Sequence, residues 1–425
     1  MADAGVLGFD EALEVVRARA VEAGVRVGGS RREVRTEEMT LLDARGRVLA
    51  EAVRAERDQP PFARATRDGF AVRTEDLLAG GGDGLRVVGE VRAGERWLGP
   101  ALEVGEAIAI MTGAPMPDGA DAVVMVEHVR EAEGRVQVQA GRRLVAGENV
   151  VPRGAEAREG EAVLAAGTVM EAAEIALAAS CGRAVLPVYA RTMVGIVATG
   201  DELVELDAVP EDWQIRNSNS YGLAALVVEA GGWPGRLKRA RDVREEVWER
   251  VAQGRMWDVL LFSGGVSMGK YDLVEEVLGE FGAEFFFTGV TMQPGKPVVF
   301  GRLPAREGDG GGPECLFFGL PGNPVSTEVT FHCFVKPLLR VLAGGEWEGP
   351  RFIQGTLTED VGGKAGLMRM LPARLTSKKA GAEVRLVGWQ GSGDLAANAR
   401  ANCYAVLPGD RDEFRAGEVI SVLLR

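Results

Sequence analysis

The chain has 425 residues, 46% hydrophobic and 26% charged, with 62 acidic against 49 basic side chains and a formal net charge of −13. That length exceeds one typical core and predicts two to four domains. The sign of the overall field argues against broad nucleic-acid binding or docking on an anionic membrane, and leaves room only for a local basic pocket.

The opening stretch MADAGVLGFDEALEVVRARA lacks the basic start and long apolar run of a signal peptide and reads as an amphipathic helix. No run approaches the roughly 18 uninterrupted apolar residues of a membrane span, so a cytoplasmic protein is expected. Cys181, Cys315, Cys333 and Cys403 are scattered without a C-x-x-C pair, and His128 and His332 are the only histidines. That supply argues against a zinc site and for buried free thiols in a reducing compartment.

In chain order, residues 1–57 are expected to be mainly helical, with Leu13, Val16 and Val21 on one face. Residues 58–145 hold short β-type runs (LRVVGEV, AIAIMTG, DAVVMVEHV, RVQVQA) broken by Gly, Pro and Asp, which predicts a small β domain. Residues 146–186 include MEAAEIALAASCG, a helix closed by Gly182, expected to pack back on the N-terminal helix and make the first domain discontinuous. From 187 to 345 strands alternate with helices, which predicts a doubly wound parallel sheet covered on both faces. REGDGGGPE (306–314) reads as a flexible tip, and residues 346–425 return to short strands, read as a small barrel. The fold class expected is therefore α/β multidomain, with an elongated helical N-terminal domain, a small β domain, a central doubly wound domain and a C-terminal β-barrel.

Ligands of doubly wound sheets sit at the carboxyl ends of the strands, where the unusual loops fall. FSGGVSMGKYD (262–272) spells G-x-x-x-x-G-K, but Tyr271 stands where a P-loop needs a Mg²⁺-binding hydroxyl. Gly264 and Gly265 still let backbone N–H groups approach an anion or a flat ring, although a tight strand–helix turn also explains them. Asp201 and Glu202 in ATGDE follow a buried strand and suit Mg²⁺, or else Asp201 caps a turn. Asp242 and Asp272 precede helices with Glu245 and Glu275 three residues on, as capping alone would require. Pro294 and Pro297 brace Lys296 in MQPGKPVVFG as a fixed positive charge for an oxyanion, or as a plain turn lysine. In GLPGNPVS (319–326) Pro324 sits at a helix entry whose spare N–H groups favour an anion. RATRDGFAV centres on Asp68-Gly69, and IMTGAPMPDGADAVV carries Thr112 at a strand end.

Taken together, RDGFAV, IMTGAPMPDGADAVVMVE, ATGDEL, NSNS, SGGVSMGKYD, PGKP, LPGNPVS and WQGSGDL resemble the MoeA family of molybdopterin molybdenumtransferases, from about residue 9 to the C-terminus. The resemblance implies four domains, the third binding molybdopterin, and a homodimer whose clefts lie between the third domain of one subunit and the first β domain of the other. It implies insertion of molybdenum from molybdate into adenylylated molybdopterin, with Mg²⁺ required and AMP released, and transient contact with the adenylyltransferase that makes that substrate. By motif, Thr199, Gly200, Asp201 and Glu202 would line the pterin–nucleotide cleft. Ser263, Gly264, Gly265 and Ser267 would cradle its phosphate and ring. Asp201, Glu202, Asp242 and Asp272 would supply the Mg²⁺ ligands. Lys296, Pro297 and Ser326 would face molybdate, beside the Pro321-Gly322-Asn323-Pro324 turn, and Asp68 and Thr112 would reach the partner's cleft. Positive charge is rearranged in this chain. Gln293 and Gly289 stand where relatives carry lysines, and Lys270 where an acidic residue is usual. Leu367 and Pro372 replace arginines, with Arg369 between them as a substitute. Two other readings use the same motifs: a molybdopterin adenylyltransferase, which would need only the α/β domain, and a non-catalytic scaffold, scaffolding being a role that the E domain of gephyrin also has. Nothing in these motifs separates molybdate from tungstate, ions of nearly the same size and charge.

Overall fold

The computed structural model describes residues 5–24, 35–78, 84–265, 273–305 and 314–425. The tip at 306–313 and the positions of Ser267, Lys270, Tyr271 and Asp272 lie outside the described residues. Helix α1 (Phe9–Ala23) buries Phe9, Ala12, Val16 and Ala20, a stripe spaced three and four residues apart. Val21, expected on that face, is exposed, and Leu13 is only half-buried.

The structure differs from expectation over residues 36–57. They form strands β1 (Thr36–Thr40) and β2 (Val53–Arg54) rather than helix. The β domain follows as β3 (Gly69–Val72), β4 (Leu85–Val91), β5 (Glu106–Ile110), β6 (Ala122–Met125), β7 (Val129–Ala132) and β8 (Arg135–Val138), in the sheet order β6-β3-β5-β4-β8-β7. The alternation in GFAV sends Phe70 and Val72 to one apolar cluster and Ala71 to another. Next come β9 (Ala162–Leu164), helix α2 (Ala172–Ser180) and β10 (Val185–Tyr189), with Gly182 at φ +72° just beyond the helix. Strand β9 pairs with β2 and β10 with β1, over a core that includes Leu49, Val53, Met170, Ala178 and Leu186. Thus the segment before the α/β domain folds back on residues 36–57, not on α1.

The α/β domain runs β11 (Met193–Ala198), α3 (Asn219–Glu229), β12 (Trp233–Arg236), α4 (Arg244–Gly254), β13 (Val259–Ser263), α5 (Leu273–Glu280), β14 (Glu284–Phe287), β15 (Met292–Gln293), β16 (Val299–Leu303) and β17 (Cys315–Leu320). Helix α6 (Pro324–Thr330) then passes through a π-turn (Phe331–Val335) into α7 (Lys336–Leu342). The sheet order is β12-β11-β13-β17-β16-β14. Its first four strands are parallel, and β16 alone runs the other way, antiparallel to both of its neighbours β17 and β14. Helices α3, α6 and α7 cover one face and α4 and α5 the other. Helix α1 joins the first of these layers, with the Phe9 and Phe334 rings 5.7 Å apart.

The C-terminal strands β18 (Phe352–Leu357), β19 (Met368–Lys378), β20 (Gly381–Leu386), β21 (Cys403–Leu407) and β22 (Val419–Leu424) close into a barrel, with helix α8 (Leu395–Arg400) before β21. The closing pair is β19–β21, and β15 of the α/β domain adds to its edge. All four cysteines are buried and none forms a disulfide, as the sequence predicts. Among the described residues no helix is long and apolar enough to cross a membrane.

Candidate active site

Strands β11, β13 and β17 are parallel neighbours, so Ala198, Ser263 and Leu320 lie in register and their outgoing loops leave side by side. Thr199 N–H donates to Ser263 O at 3.1 Å, and Gly264 N–H to Leu320 O at 3.1 Å. Gly264 and Gly265 have φ of +94° and +65°. A Cβ on Gly264 would stand 2.7 Å from Thr199 O, and one on Gly265 2.7 Å from Thr199 Oγ1. Both glycines are thus required by backbone conformation and by close approach. The Thr199 hydroxyl beneath them is buried with no hydrogen-bond partner among the described residues, which in a folded interior usually marks a ligand or water position.

The next loop brings three of the expected carboxylates together. Asp242 N–H donates to Asp201 Oδ1 at 3.2 Å, and Gly200 N–H to Ala240 O at 3.2 Å, so the loops after β11 and before α4 meet. The Asp242 residue is exposed overall, yet its carboxyl is held above the usual carboxylate range. Partial loss of water is the first cause, and repulsion by Asp201 and Glu202 the next. Among the described residues no three His, Cys, Asp or Glu side chains are arranged to hold a metal ion. The fourth expected carboxylate, Asp272, lies outside the described residues.

Lys296 is exposed on its loop, and its carbonyl accepts from Val290 N–H at 2.9 Å. A Cβ on Gly295 would stand 2.6 Å from the Thr330 methyl, so the loop rides on α6. Thr330 Oγ1 in turn donates to Ser326 O at 2.8 Å, which places Ser326 one turn away on that helix. The register Gln293↔Arg369 in the β15–β19 pair sets Arg369 beside this loop. Arg369 Nη1 donates to Gly362 O at 3.0 Å, while its buried Nε has no partner. Pro372 is buried in β19 opposite Tyr404 and brings no charge.

Asn323 caps α6, and Pro324 occupies its first turn. Asn323 Nδ2 donates to Ser392 Oγ at 3.0 Å and Val325 N–H to Ser392 O at 3.0 Å, so the WQGSGDL loop of the barrel forms part of the rim. Ser392 and Asn219 were absent from the residues expected at the site, although both belong to quoted motifs. Asn219 Nδ2 lies 2.8 Å from Ser263 Oγ and 2.7 Å from Gly322 O, joining two of the loops.

Asp68 and Thr112 meet each other in the β domain: Thr112 N–H and Oγ1 both donate to Asp68 Oδ1 at 2.7 Å. These two donors hold the Asp68 carboxyl below its ordinary range. Among the described residues no hydrogen bond joins either residue to the crevice of their own chain.

Three sequence profiles cover the chain: "MoeA N-terminal region (domain I and II)" over residues 7–182, "Probable molybdopterin binding domain" over 195–341, and "MoeA C-terminal region (domain IV)" over 354–424. A molybdopterin molybdenumtransferase of a Nostoc species is 36% identical over 403 residues, covering 91% of this chain and 88% of the relative. The Bacillus subtilis molybdopterin molybdenumtransferase is 32% identical over 412 residues, covering 95% and 93%. The crystal structure of the MoeA molybdopterin biosynthesis protein from Pyrococcus horikoshii superposes with a TM-score of 0.76 at 28% identity, over 99% of this chain and 100% of that one.

Proposed function

The chain belongs to the MoeA family, and from that premise we propose that it is a molybdopterin molybdenumtransferase of molybdenum cofactor biosynthesis. In this reading it joins molybdenum from molybdate to adenylylated molybdopterin and releases AMP. The observation that carries it is the crevice at the ends of β11, β13 and β17. There, the unpartnered Thr199 hydroxyl beneath the Gly264-Gly265 turn adjoins Asp242, whose carboxyl is raised by burial and by the charges of Asp201 and Glu202.

Gly264 and Gly265, where a side chain would meet Thr199, let the ligand's phosphate approach the backbone closely, and Ser263 and Thr199 add hydroxyl donors. Asp201, Glu202 and Asp242 offer the oxygen ligands Mg²⁺ prefers; they are not already arranged around an ion, and a cation drawing them together would relieve the repulsion that Asp201 and Glu202 exert on Asp242. Asp272 would complete that set. When bound, Mg²⁺ supplies neutralising charge at the phosphoanhydride. Lys296, with Pro297 fixing its loop, Ser326 and the neighbouring Arg369 hold molybdate near the dithiolene, so that proximity provides much of the rate. Arg369 takes over charge that relatives place at Leu367 and Pro372. Asp68 and Thr112 serve the crevice of the second subunit in a homodimer. Substrate arrives from the adenylyltransferase by transient contact in the cytoplasm.

The test is single turnover of purified protein with adenylylated molybdopterin, Mg²⁺ and molybdate, reading AMP release and active cofactor together. Both products are expected; bound substrate with neither product would leave only a scaffold. A parallel reaction with tungstate decides the oxyanion. Light scattering is expected to give a dimer, and a monomer that turns over would remove the shared cleft.

A further inference from the structure

The amide of Asn219 touches two loops of the crevice at once, and its chemistry constrains a neighbour. Its Nδ2 lies 2.7 Å from Gly322 O, 2.8 Å from Ser263 Oγ and 3.4 Å from Thr327 Oγ1. A backbone carbonyl only accepts, so the atom facing Gly322 O must be the NH₂ group, whichever way the amide is first drawn. Its two protons are then committed to Gly322 O and Ser263 Oγ. Thr327 needs neither, because its own hydroxyl donates to Pro321 O at 2.6 Å.

Ser263 is 3% exposed, and its Oγ receives a proton from Asn219. A hydroxyl has one proton to give, and here no protein acceptor among the described residues takes it. The lone pair facing Asn219 is occupied, so that proton turns away from the amide. The unpartnered Thr199 Oγ1 lies close to Gly264 and Gly265, the two residues that follow Ser263.

We propose that Asn219 is a positioning residue that holds the Ser263 hydroxyl as a donor into the crevice, making this corner selective for a hydrogen-bond acceptor such as a phosphoryl oxygen. The proposal rests on the crevice being the site of the adenylylated pterin. It adds a cause for that selectivity: without the Asn219 amide the Ser263 rotor could equally accept. The same two bonds tie the loop after β13 to the loop after β17, so the donor and the amides beside it are held in one arrangement.

The experiment titrates the full-length protein with adenylylated molybdopterin, comparing wild type with Asn219→Asp, Asn219→Ala, Ser263→Ala and the Asn219→Ala/Ser263→Ala double variant. Melting temperature checks that each is folded. Asn219→Asp puts an acceptor where the donor was, captures the Ser263 proton and repels Gly322 O, so it should weaken binding most, by about 30-fold. Asn219→Ala and Ser263→Ala should each weaken it about tenfold. The double variant should be no more than about threefold weaker than Ser263→Ala, because the two residues act through one hydrogen bond. A purely structural Asn219 would instead give a double variant whose loss is the product of the single losses, and that result overturns the proposal. So does wild-type affinity in a folded Asn219→Asp. Failure of wild type itself to bind would remove the crevice reading, an outcome distinct from either of these.

Discussion

Asp242 and Glu328 are both carboxylates of the α/β domain, and their surroundings drive them in opposite directions. At the crevice, partial burial and then the charges of Asp201 and Glu202 push Asp242 up. On α6, burial also pushes Glu328 up, but His332, Arg425 and Asn398 outweigh it and the carboxyl ends below its ordinary range. Arg425 Nε stands 2.5 Å from Glu328 Oε1, Asn398 Nδ2 donates to Oε2 at 2.6 Å, and Tyr404 Oη donates to Asn398 Oδ1 at 2.8 Å. This second region fastens the barrel to the α/β domain by pairing the Glu328 charge with Arg425 and Asn398, although the buried His332 nitrogens make no hydrogen bond among the described residues. The crevice keeps charges of one sign together and leaves the Thr199 hydroxyl unmatched among the described residues. The contrast separates polar groups kept for a ligand from polar groups kept for the fold.

The largest effect that would break this comparison is functional. Asp242→Ala or Asp201→Ala should cut cofactor formation by about 100-fold or more without lowering the melting temperature, measured by AMP release and calorimetry. Normal turnover in either variant would detach these carboxylates from the chemistry. Glu328→Gln should do the reverse. It strands the partly buried Arg425 guanidinium and should cost about 2 kcal/mol in urea unfolding, with near-normal turnover at low temperature. A smaller effect is expected of Gly265→Ala, where a methyl at φ +65° meets the Thr199 hydroxyl. Substrate binding should weaken about tenfold, read by titration, with the barrel undisturbed.

Acid sharpens the same contrast. Glu328 has a depressed folded pKa, so its stabilisation is present above the ordinary carboxylate value and is lost as pH falls through the folded one. Asp242 has a raised folded pKa. Its ionised form opposes folding, acid relieves that strain, and the loss of its charge should remove Mg²⁺-dependent turnover first. A pH series should therefore show activity failing at a higher pH than the unfolding transition.

How far this was legible in the sequence depended on how local each signal was. The glycine loops after apolar strands, the braced Lys296 and the Pro324 helix entry are contiguous signals, and the structure forms a strand-end loop or turn at each. Residues 36–57 were misread because their partners are distant: Val53 pairs with Leu164, and a two-residue strand carries no periodicity of its own. The reversed direction of β16 depends on where that strand lands, which alternation of strand and helix does not encode. Asn219 was legible only as part of the NSNS motif, because its role comes from Ser263 and Gly322, 44 and 103 residues away. Arg369 was noticed as a substitute for lost charge, and the barrel register that sets it opposite Gln293 became visible only in three dimensions.

The most direct measurement is the melting temperature of wild type and Asp242→Asn, each alone and with saturating Mg²⁺ and adenylylated molybdopterin. With nothing added, the variant should melt roughly 1–2 °C higher, because a repelled carboxylate is gone. On addition of both ligands wild type should rise by several degrees and the variant by much less. Equal ligand-induced shifts in the two proteins would contradict the account.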